Sequence, residues 1–344
     1  MSHAGWGAVR LVQLSDGSAR RVGLVDEPHI RLLTSASSVY ALALEAADAR
    51  VSLTEIVTTD TAGERLPYDS VYEGVSEWRL LPPIDHPDEP ARCLVSGTGL
   101  THVGSARDRD AMHGSDDDAA TDSMRMFRAG IEGGRPGPGT IGTAPEWFYK
   151  GTGRMLRAHG EPLVVPAYAE DGGEEAEIAG IYVIDRVGRP RRIGMAAGNE
   201  FSDHVYERRN YLHLAASKLR TCALGPELVV DPDFGSVAGE VWIERDGVRI
   251  WAKHITSGEA AMCHSLENVE HHHFKYEAHR APGDVHVHFF GAPTLSYGDG
   301  IVLRDGDAVA IAFEGFGRVL RNVVRVDGSA DTLVRVLPLT RAPS

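Results

Sequence analysis

The sequence has little cysteine and no excess of positive charge, and both shortages exclude classes of protein. Only three cysteines occur among the 344 residues, Cys93, Cys222 and Cys263, far apart and odd in number. This is not the pattern of a disulfide framework, so a reducing compartment is the simpler expectation. The formal net charge is −14, which argues against a nucleic-acid partner, because neutralising phosphates requires clustered Lys and Arg.

Long apolar runs and nucleotide-binding motifs are also missing. No stretch approaches the about 18 consecutive apolar residues of a membrane-spanning helix, and the first residues lack the apolar core of a signal peptide. We therefore expect no membrane partner and a cytoplasmic protein. There is no GxGxxG after a predicted strand, no phosphate-binding loop and no tandem repeat. A composition with 42% hydrophobic and 24% charged residues is ordinary for a globular enzyme or binding protein.

The first part of the chain predicts a small module. Residues 8–26 have the pattern of two strands around a Ser-Asp-Gly-Ser turn, which is typical of a β-hairpin. Helical spacing follows from Ser38, whose hydroxyl is suited to cap the helix. The proline-rich residues 82–87 continue neither kind of element. We therefore divide the chain into a small N-terminal hairpin and helix module, residues 1–88, and a catalytic domain, residues 89–344.

The remainder of the chain is predominantly strand-like. Residues 108–142 are polar and glycine-rich with a possible short helix in the middle, a composition typical of a disordered segment or a lid over a site. Beyond them, at least six strand patterns occur, and the main helical patterns cover residues 203–217 and 258–279. The βαβ rhythm of a dinucleotide fold is missing, so the sequence predicts a β-rich α+β domain.

Three carboxylates crowd the stretch DGGEEAEIAG. Alternate side chains of an extended segment share a face, so Glu175 and Glu177 point together while Glu174 points away. Such a pair either faces water or is made compatible by a cation. A third carboxylate, Glu200, follows a run of small apolar residues expected to be buried. Three carboxylates completed by waters describe a Mg²⁺ or Mn²⁺ site that keeps open positions for a substrate.

These motifs, taken in order, resemble the fumarylacetoacetate hydrolase superfamily. The family's E-x-E pattern matches Glu175 and Glu177, its acidic residue before an S-A-R-D-like turn matches Glu200 in NEFSD, and its lysine matches Lys218. PGDV and GDAVAIAFEGFGRVLRN match the closing segments, so the resemblance covers residues 92–326. It implies a mixed β-sandwich or roll, a metal held by Glu175, Glu177 and Glu200, and a homodimer. The third ligand is Glu here, where the family usually has Asp.

Other segments, among them PEWFYKG, resemble a sugar-acid branch of that superfamily, which acts on 2-keto-3-deoxy aldonates. The predicted function is therefore a Mg²⁺- or Mn²⁺-dependent hydro-lyase that converts a 2-keto-3-deoxypentonate, a small anionic α-keto acid, to 2-oxoglutarate semialdehyde through an enolate. We expect proton transfer and substrate steadying from His102, Lys150 and Lys218, and substrate contacts from Phe148, Ser202, His288, Gly291 and Thr294.

Several alternatives stay open at this point. A hydrolase of an acylpyruvate or diketo sugar acid would use the same metal chemistry, as would a β-keto acid decarboxylase, and a non-catalytic metabolite-binding protein could keep the fold. The histidine-rich stretches EHHHFKYEAH and DVHVHFF suggest zinc, but three consecutive helical histidines point in three directions, so packing contacts are expected. The acidic residues 116–118 lack the glycine and glutamate of a calcium loop.

Overall fold

The computed structural model describes residues 8–34, 36–60, 63–104, 106–107 and 121–339. The chain is α+β, as the sequence predicts, with a 13-stranded and a 5-stranded sheet that are both open. Both sheets contain parallel and antiparallel strand pairs. The strands are β1 (Arg10–Ser15), β2 (Arg20–Asp26), β3 (His29–Leu32), β4 (Arg65–Pro67), β5 (Arg79–Leu81), β6 (Cys93–Gly97), β7 (Phe148–Thr152), β8 (Leu156–Arg157), β9 (Leu163–Val165), β10 (Ala176–Ile184), β11 (Pro190–Asn199), β12 (Cys222–Leu224), β13 (Leu228–Val229), β14 (Val237–Arg245), β15 (Val248–Ser257), β16 (Val285–Phe289), β17 (Ala308–Phe313) and β18 (Leu320–Val326). The α-helices of the described residues are α1 (Val39–Ala49), α2 (Leu53–Thr59), α3 (Tyr68–Tyr72), α4 (Asp122–Gly133), α5 (His204–Arg209), α6 (Leu214–Ser217) and α7 (Leu266–Phe274).

The N-terminal elements form where their local signals place them. The β1–β2 hairpin turns at Asp16, whose carboxylate accepts hydrogen bonds from the amides of Ser18 and Ala19. Helix α1 begins after Ser38, whose hydroxyl accepts a hydrogen bond from the Ala41 amide. Both the predicted hairpin and the predicted helix cap are confirmed, because each depends on contacts within a few residues.

The large sheet runs through both predicted parts of the chain. Its strand order is β4-β3-β2-β1-β13-β11-β10-β16-β6-β7, and β1 pairs with β13 through Arg10 opposite Val229. The N-terminal strands have a hydrophobic cluster of their own around Val12, Leu14 and Ile30. A boundary near residue 88 remains a proposal about folding units, since the backbone hydrogen bonding is continuous across it.

Strands β10 and β11 lie at the centre of the molecule. Every residue of β10 is buried. On one side lies a core that includes Leu42 of α1 and Ile181 of β10. On the other lies a second core, which joins Ile178 of β10 to Val241 of β14 and Ile311 of β17. The two sheets therefore pack face to face as a sandwich, with helices outside. Residues 178–184 of β10 form a continuous apolar run because both faces of the strand are covered.

The two long helical patterns are shorter in the structure than the sequence predicts. The first is interrupted by Asn210, whose backbone is extended and whose side chain caps a following short 3₁₀ turn. The second contains a helix only from Leu266, after the N-cap Ser265. In the glycine-rich segment, Thr121 caps helix α4, so the short helix expected there is confirmed. The acidic residues 116–118 lie outside the described residues.

The three cysteines are buried and unbonded to one another, consistent with their irregular spacing. Among the described residues, no helix combines the length and apolar character that crossing a membrane requires.

Candidate metal centre

The register of the two central strands brings the predicted ligands together. Strand β10 pairs antiparallel with β11, and Ala176 lies opposite Asn199. Glu175 and Glu177 flank the first residue of β10, while Glu200 follows the last residue of β11. The Glu200 amide donates a hydrogen bond of 2.9 Å to the Glu175 carbonyl. Two segments 25 residues apart in sequence therefore present their carboxylates side by side at one end of the strand pair.

The three carboxylates converge on one point. One oxygen from each of Glu175, Glu177 and Glu200 lies within 4.8 Å of the others. All three residues are buried, with exposed fractions of 3%, 1% and 0%. Glu174 points elsewhere, as the alternation predicts, and accepts hydrogen bonds from the Ser296 amide and hydroxyl at 2.7 and 2.5 Å.

Burial and mutual repulsion make this cluster costly without a cation. Burial, then the charges of Glu175 and Glu200, raises the pKa of Glu177 well above its usual range. Burial likewise raises the pKa of Glu200, although the neighbouring lysines act in the opposite direction. A divalent ion would remove the repulsion and favour the ionised carboxylates.

Two fully buried lysines hold the cluster. Lys218 donates to Glu175, and it donates to Glu200 Oε2 at 2.6 Å and to the Ser202 hydroxyl at 2.9 Å. Lys150 Nζ lies 2.6 Å from Glu200 Oε1 and donates to the Phe201 carbonyl. Burial lowers the pKa of Lys150. With all five groups ionised the cluster carries one net negative charge.

The donor set fits a hard divalent cation. All three ligands are carboxylates, the oxygens that Mg²⁺ and Mn²⁺ prefer. Glu200 Oε1 lies 2.6 Å from Lys150 Nζ, and a carboxylate oxygen has two lone pairs, so contact with the lysine leaves it able to bind an ion as well. The residues that would hold the ion are Glu175, Glu177 and Glu200, and the lysines would stay in contact with them.

His204 orients one of these ligands and was not predicted as a site residue. Its Nε2 lies 3.1 Å from Glu175 Oε1. Burial would lower the pKa of His204, but the hydrogen bond and the charge of Glu175 raise it. The available signal was position, because His204 follows Glu200 by four residues. A second unpredicted contact is the Asn199 side chain, which accepts a hydrogen bond from the Glu175 amide at 3.1 Å.

Three of the predicted substrate-contacting residues, Phe148, Ser202 and Gly291, lie against this centre. Phe148 is buried, and its ring centroid lies 4.8 Å below Lys218 Nζ. The Ser202 hydroxyl contacts both Lys218 and Glu200. The Gly291 amide donates to Glu177 Oε2 at 2.7 Å, so this residue fixes a ligand. Thr294 is half-buried three residues further on.

His102 lies in a second polar group linked to the centre through the loop after β16. Its Nδ1 lies 2.8 Å from the Thr101 hydroxyl, which donates to the Phe290 carbonyl beside Gly291. This pattern places the ring proton on Nδ1 and leaves Nε2 as an acceptor, 3.4 Å from the Ser257 hydroxyl. Burial lowers the pKa of His102 to about 4, well below the ordinary value of about 6.5 on which its expected acid and base role rested.

His273, His279, His286 and His288 form a packed cluster. His273 Nε2 lies 2.9 Å from His286 Nδ1, and the rings of His273 and His288 are 4.4 Å apart between centroids. His288 makes hydrogen bonds with Ser96 and Thr98. Within the described part of the chain, the glutamate trio is the one group of acidic, His or Cys side chains with metal-binding spacing. His273 and His286 therefore make packing and polar contacts, and the substrate contact expected of His288 stays a prediction.

Comparison with known proteins finds matching solved structures, although no protein-family model and no curated protein matches the sequence. A 2-keto-3-deoxyarabinonate dehydratase matches with a TM-score of 0.71 and 18% identity, over 93% of this chain and 100% of the other. A 2-keto-3-deoxy-D-arabinonate dehydratase in complex with magnesium and 2,5-dioxopentanoate matches with a TM-score of 0.69 and 19% identity, over 92% and 99% of the two chains.

A fumarylacetoacetate hydrolase from psychrophilic Exiguobacterium antarcticum also matches, with a TM-score of 0.59 and 16% identity, over 93% of this chain and 100% of that one. At these identities the likeness establishes the fold. The chain has the fumarylacetoacetate hydrolase fold, in the form also found in sugar-acid dehydratases, as the sequence resemblance predicts.

Proposed function

We propose that this chain, which shares its fold with both a dehydratase and a hydrolase, is a Mg²⁺- or Mn²⁺-dependent lyase that dehydrates a 2-keto-3-deoxypentonate to 2-oxoglutarate semialdehyde. One observation carries the proposal: three buried glutamates converge within 4.8 Å of one another, and two buried lysines contact them. A protein with no cation to bind has no reason to bury three mutually repelling acids.

The charge of the centre suits an anionic substrate. Glu175, Glu177 and Glu200 would hold the ion, and with Lys150 and Lys218 charged the loaded centre carries one net positive charge. Bound there, the ion would supply Lewis-acid stabilisation for negative charge on the ketone oxygen of the substrate. Lys218 steadies the substrate carboxylate from its position against Phe148, where the aromatic face favours a cation.

Dehydration requires one proton to leave C3 and another to reach the departing C4 hydroxyl. Burial lowers the pKa of Lys150, which increases the fraction of neutral amine able to take a proton at Nζ. His102 is a neutral base at neutral pH because burial lowers its pKa to about 4. A histidine with so low a pKa is a weak base, so we assign proton abstraction first to Lys150 and second to His102, and proton donation to the Lys218 ammonium. The product enol then relaxes to the semialdehyde.

The second candidate is a carbon–carbon bond hydrolase acting on an acylpyruvate or diketo sugar acid. The fold match to a fumarylacetoacetate hydrolase favours it, and the same carboxylates and lysines would serve it. The products differ. A hydrolase releases pyruvate or a related keto acid together with a second acid, whereas the dehydratase releases a single semialdehyde and water.

Product analysis tests the proposal. The metal-stripped protein is supplied with Mg²⁺ or Mn²⁺ and the 2-keto-3-deoxypentonate stereoisomers, and aldehyde and pyruvate are measured separately. We expect metal-dependent aldehyde, and Glu177→Gln should lower its rate by about 100-fold or more, since one ligand of three is lost. Glu170→Gln, five residues before the ligands and paired with Arg209 at the surface, is the matched control and should keep full activity.

The outcomes separate the candidates. Pyruvate with a second acid would replace the dehydratase by the hydrolase. Binding of the keto acid without turnover would indicate the non-catalytic metabolite-binding protein. Full activity in Glu177→Gln would remove the metal-ligand role. As part of the same proposal, we assign the protein to cytoplasmic pentose breakdown and to a homodimeric state.

A further inference from the structure

Beyond the last strand, the described chain continues into a segment that is mostly apolar and exposed. We name residues 331–339 the C-terminal arm; these residues form no helix or strand. Five of its nine side chains are apolar and more than four-fifths exposed: Leu333 84%, Val334 85%, Val336 90%, Leu337 83% and Leu339 105%. Contiguous exposed apolar surface of this kind marks a site of association.

The arm has the composition of a strand without a partner. Its central residues, TLVRVL, are mostly β-branched or large apolar side chains, and alternate ones share a face. In a strand, Leu333, Arg335 and Leu337 would share one face, and Val334 and Val336 would share the other. An extended backbone with unpaired amides and carbonyls gains most by pairing along the edge of a sheet.

The same chain offers a long unpaired edge. Strand β15 is the outer strand of the 5-stranded sheet and is ten residues long. By contrast, the other ends of the two sheets, β4, β9 and β7, have three, three and five residues. Val248 and Ile250 of β15 are 64% and 38% exposed and lie on one face. Long exposed edges are usually covered in native proteins.

A second copy of this chain is the occupant that both features favour. Each copy carries one arm and one β15 edge, so a reciprocal exchange about a two-fold axis covers both arms and both edges at once. Every molecule exposes the apolar arm, so covering all arms requires one partner per molecule. An identical copy is always present in that ratio. The nine arm residues and the seven exposed or half-buried residues 248–254 give each copy an interface that is smaller than the about 20 to 30 residues a side of a standard one.

We propose that the C-terminal arm of one copy pairs along the outer edge of β15 of a second copy, and that the exchange is reciprocal. This inference gives the proposed homodimer a specific interface. It does not depend on the reaction, because neither the arm nor residues 248–254 of β15 contribute a residue to the metal centre; the β15 residue near His102 is Ser257, at the other end of the strand.

The test uses the full-length chain and measures its mass in solution across a concentration series. We expect a dimer, and the variant Leu333→Asp with Leu337→Asp should raise the dimer dissociation constant by about 100-fold or more, as loss of two central apolar contacts does. Ile250→Lys, on the receiving edge, should weaken the same dimer. Val75→Asp is the matched control, because Val75 is 73% exposed and lies in the N-terminal part.

Hydrogen exchange of the arm amides adds a second readout. In the dimer, the amides of residues 332–337 should exchange at least about tenfold more slowly than in the arm variant. A monomeric wild-type chain would overturn the proposal, as would a dimer unaffected by both variants. A monomer with protected arm amides would also overturn it, by showing that the arm docks on its own chain. Metal-dependent turnover, measured on the same samples, reports on the reaction separately.

Discussion

Neighbouring cations stabilise the ionised form of Glu177 less than those of the other two ligands. Glu175 and Glu200 each contact a lysine ammonium, whereas Glu177 accepts a hydrogen bond from the Gly291 amide. Its raised pKa follows from burial and from the two adjacent carboxylates. Its ionised form is therefore the most dependent on an added cation, and this is why Glu177 is the most informative ligand to change.

His204 is expected to set the metal affinity by holding Glu175. His204→Phe fills the space but removes the 3.1 Å contact with Glu175 Oε1, and it should weaken Mn²⁺ binding by about 10- to 100-fold, as loss of an outer-shell partner does. Titration calorimetry of the metal-free protein measures this. His204→Gln, which retains an N–H donor, should recover part of the affinity.

The control for this experiment is His213→Asn. His213 stacks on Tyr206 with ring centroids 4.3 Å apart, so the variant changes a histidine near the same helix without touching a carboxylate. Equal Mn²⁺ affinity in His204→Phe and the wild type would show that the His204 contact does not contribute to metal affinity.

Because of the buried His288, the free energy of unfolding is expected to fall in acid. Burial, then the charges of His286 and His279, lowers its pKa to about 3, while the unfolded chain titrates near 6.5. Between these values the unfolded state binds the proton and the folded state does not, so stability falls as the pH falls below 6.5. At pH 5 this costs at most about 2 kcal/mol relative to neutral pH.

Urea unfolding of His288→Gln at pH 7 and pH 5 tests this. The glutamine can keep hydrogen bonds with Ser96 and Thr98 but does not titrate, so the variant should lose less stability than the wild type on acidification. Identical losses in the two proteins would place the acid sensitivity elsewhere, for example at His102, whose pKa burial also lowers.

At the scale of elements, the loop after β16 connects the two polar groups of the site. Gly291 has a φ of 94°, and its amide donates to Glu177. A Cβ atom there would lie 2.1 Å from the Thr101 hydroxyl, which is itself bonded to His102. The turn therefore requires glycine for both its left-handed backbone and its close approach to Thr101.

Gly291→Ala should be destabilising and should weaken metal binding, because the loop must move away from Thr101 and take its amide with it. We expect a loss of about 2 to 4 kcal/mol, from the left-handed backbone together with the steric clash. Gly300→Ala is the control, since its φ is 76° with no atom within 4 Å of a Cβ, and it should cost about 1 to 2 kcal/mol. Denaturant unfolding measures both, and equal losses would show that the clash is relieved without cost.

At the scale of the whole molecule, one buried carboxylate joins the N-terminal and C-terminal parts. Glu227 accepts hydrogen bonds from Tyr68 at 2.8 Å, Arg10 at 2.9 Å and the Arg318 amide at 3.1 Å. The Arg318 guanidinium lies 3.8 Å from the Tyr68 ring centroid and pairs with Glu27. Burial raises the pKa of Glu227. The hydrogen bonds from these donors compensate for the cost of burying its carboxylate.

Glu227→Ala should lower the free energy of unfolding by about 2 to 4 kcal/mol, because Tyr68 and Arg10 lose a buried acceptor. If the continuous sheet makes the two parts one cooperative unit, circular dichroism and tryptophan fluorescence will report the same transition. Glu240→Ala, which removes a surface pair with Arg249, should cost less than about 1 kcal/mol. Two separate transitions would support independent folding of residues 1–88.

The sequence by itself determined the features that depend on neighbouring residues. The hairpin at Asp16, the helix cap at Ser38, the α+β class and the common face of Glu175 and Glu177 all follow from local turn chemistry, capping and the two-residue period of strands. The ordered motifs around Glu175, Glu177, Glu200 and Lys218 also indicated the fold that the comparisons found.

Only the tertiary structure decided how distant groups meet and how they ionise. The opposition of Ala176 and Asn199 places Glu200 beside Glu175, and burial depresses the pKa of His102 and Lys150. His204 contacts Glu175 because of a turn that the periodicity of the sequence does not specify. Of the two predicted long helices, the first is interrupted at Asn210 and the second begins only after Ser265. Registers, burial and pKa shifts arise from contacts across the whole chain, whereas sequence patterns report only local preference.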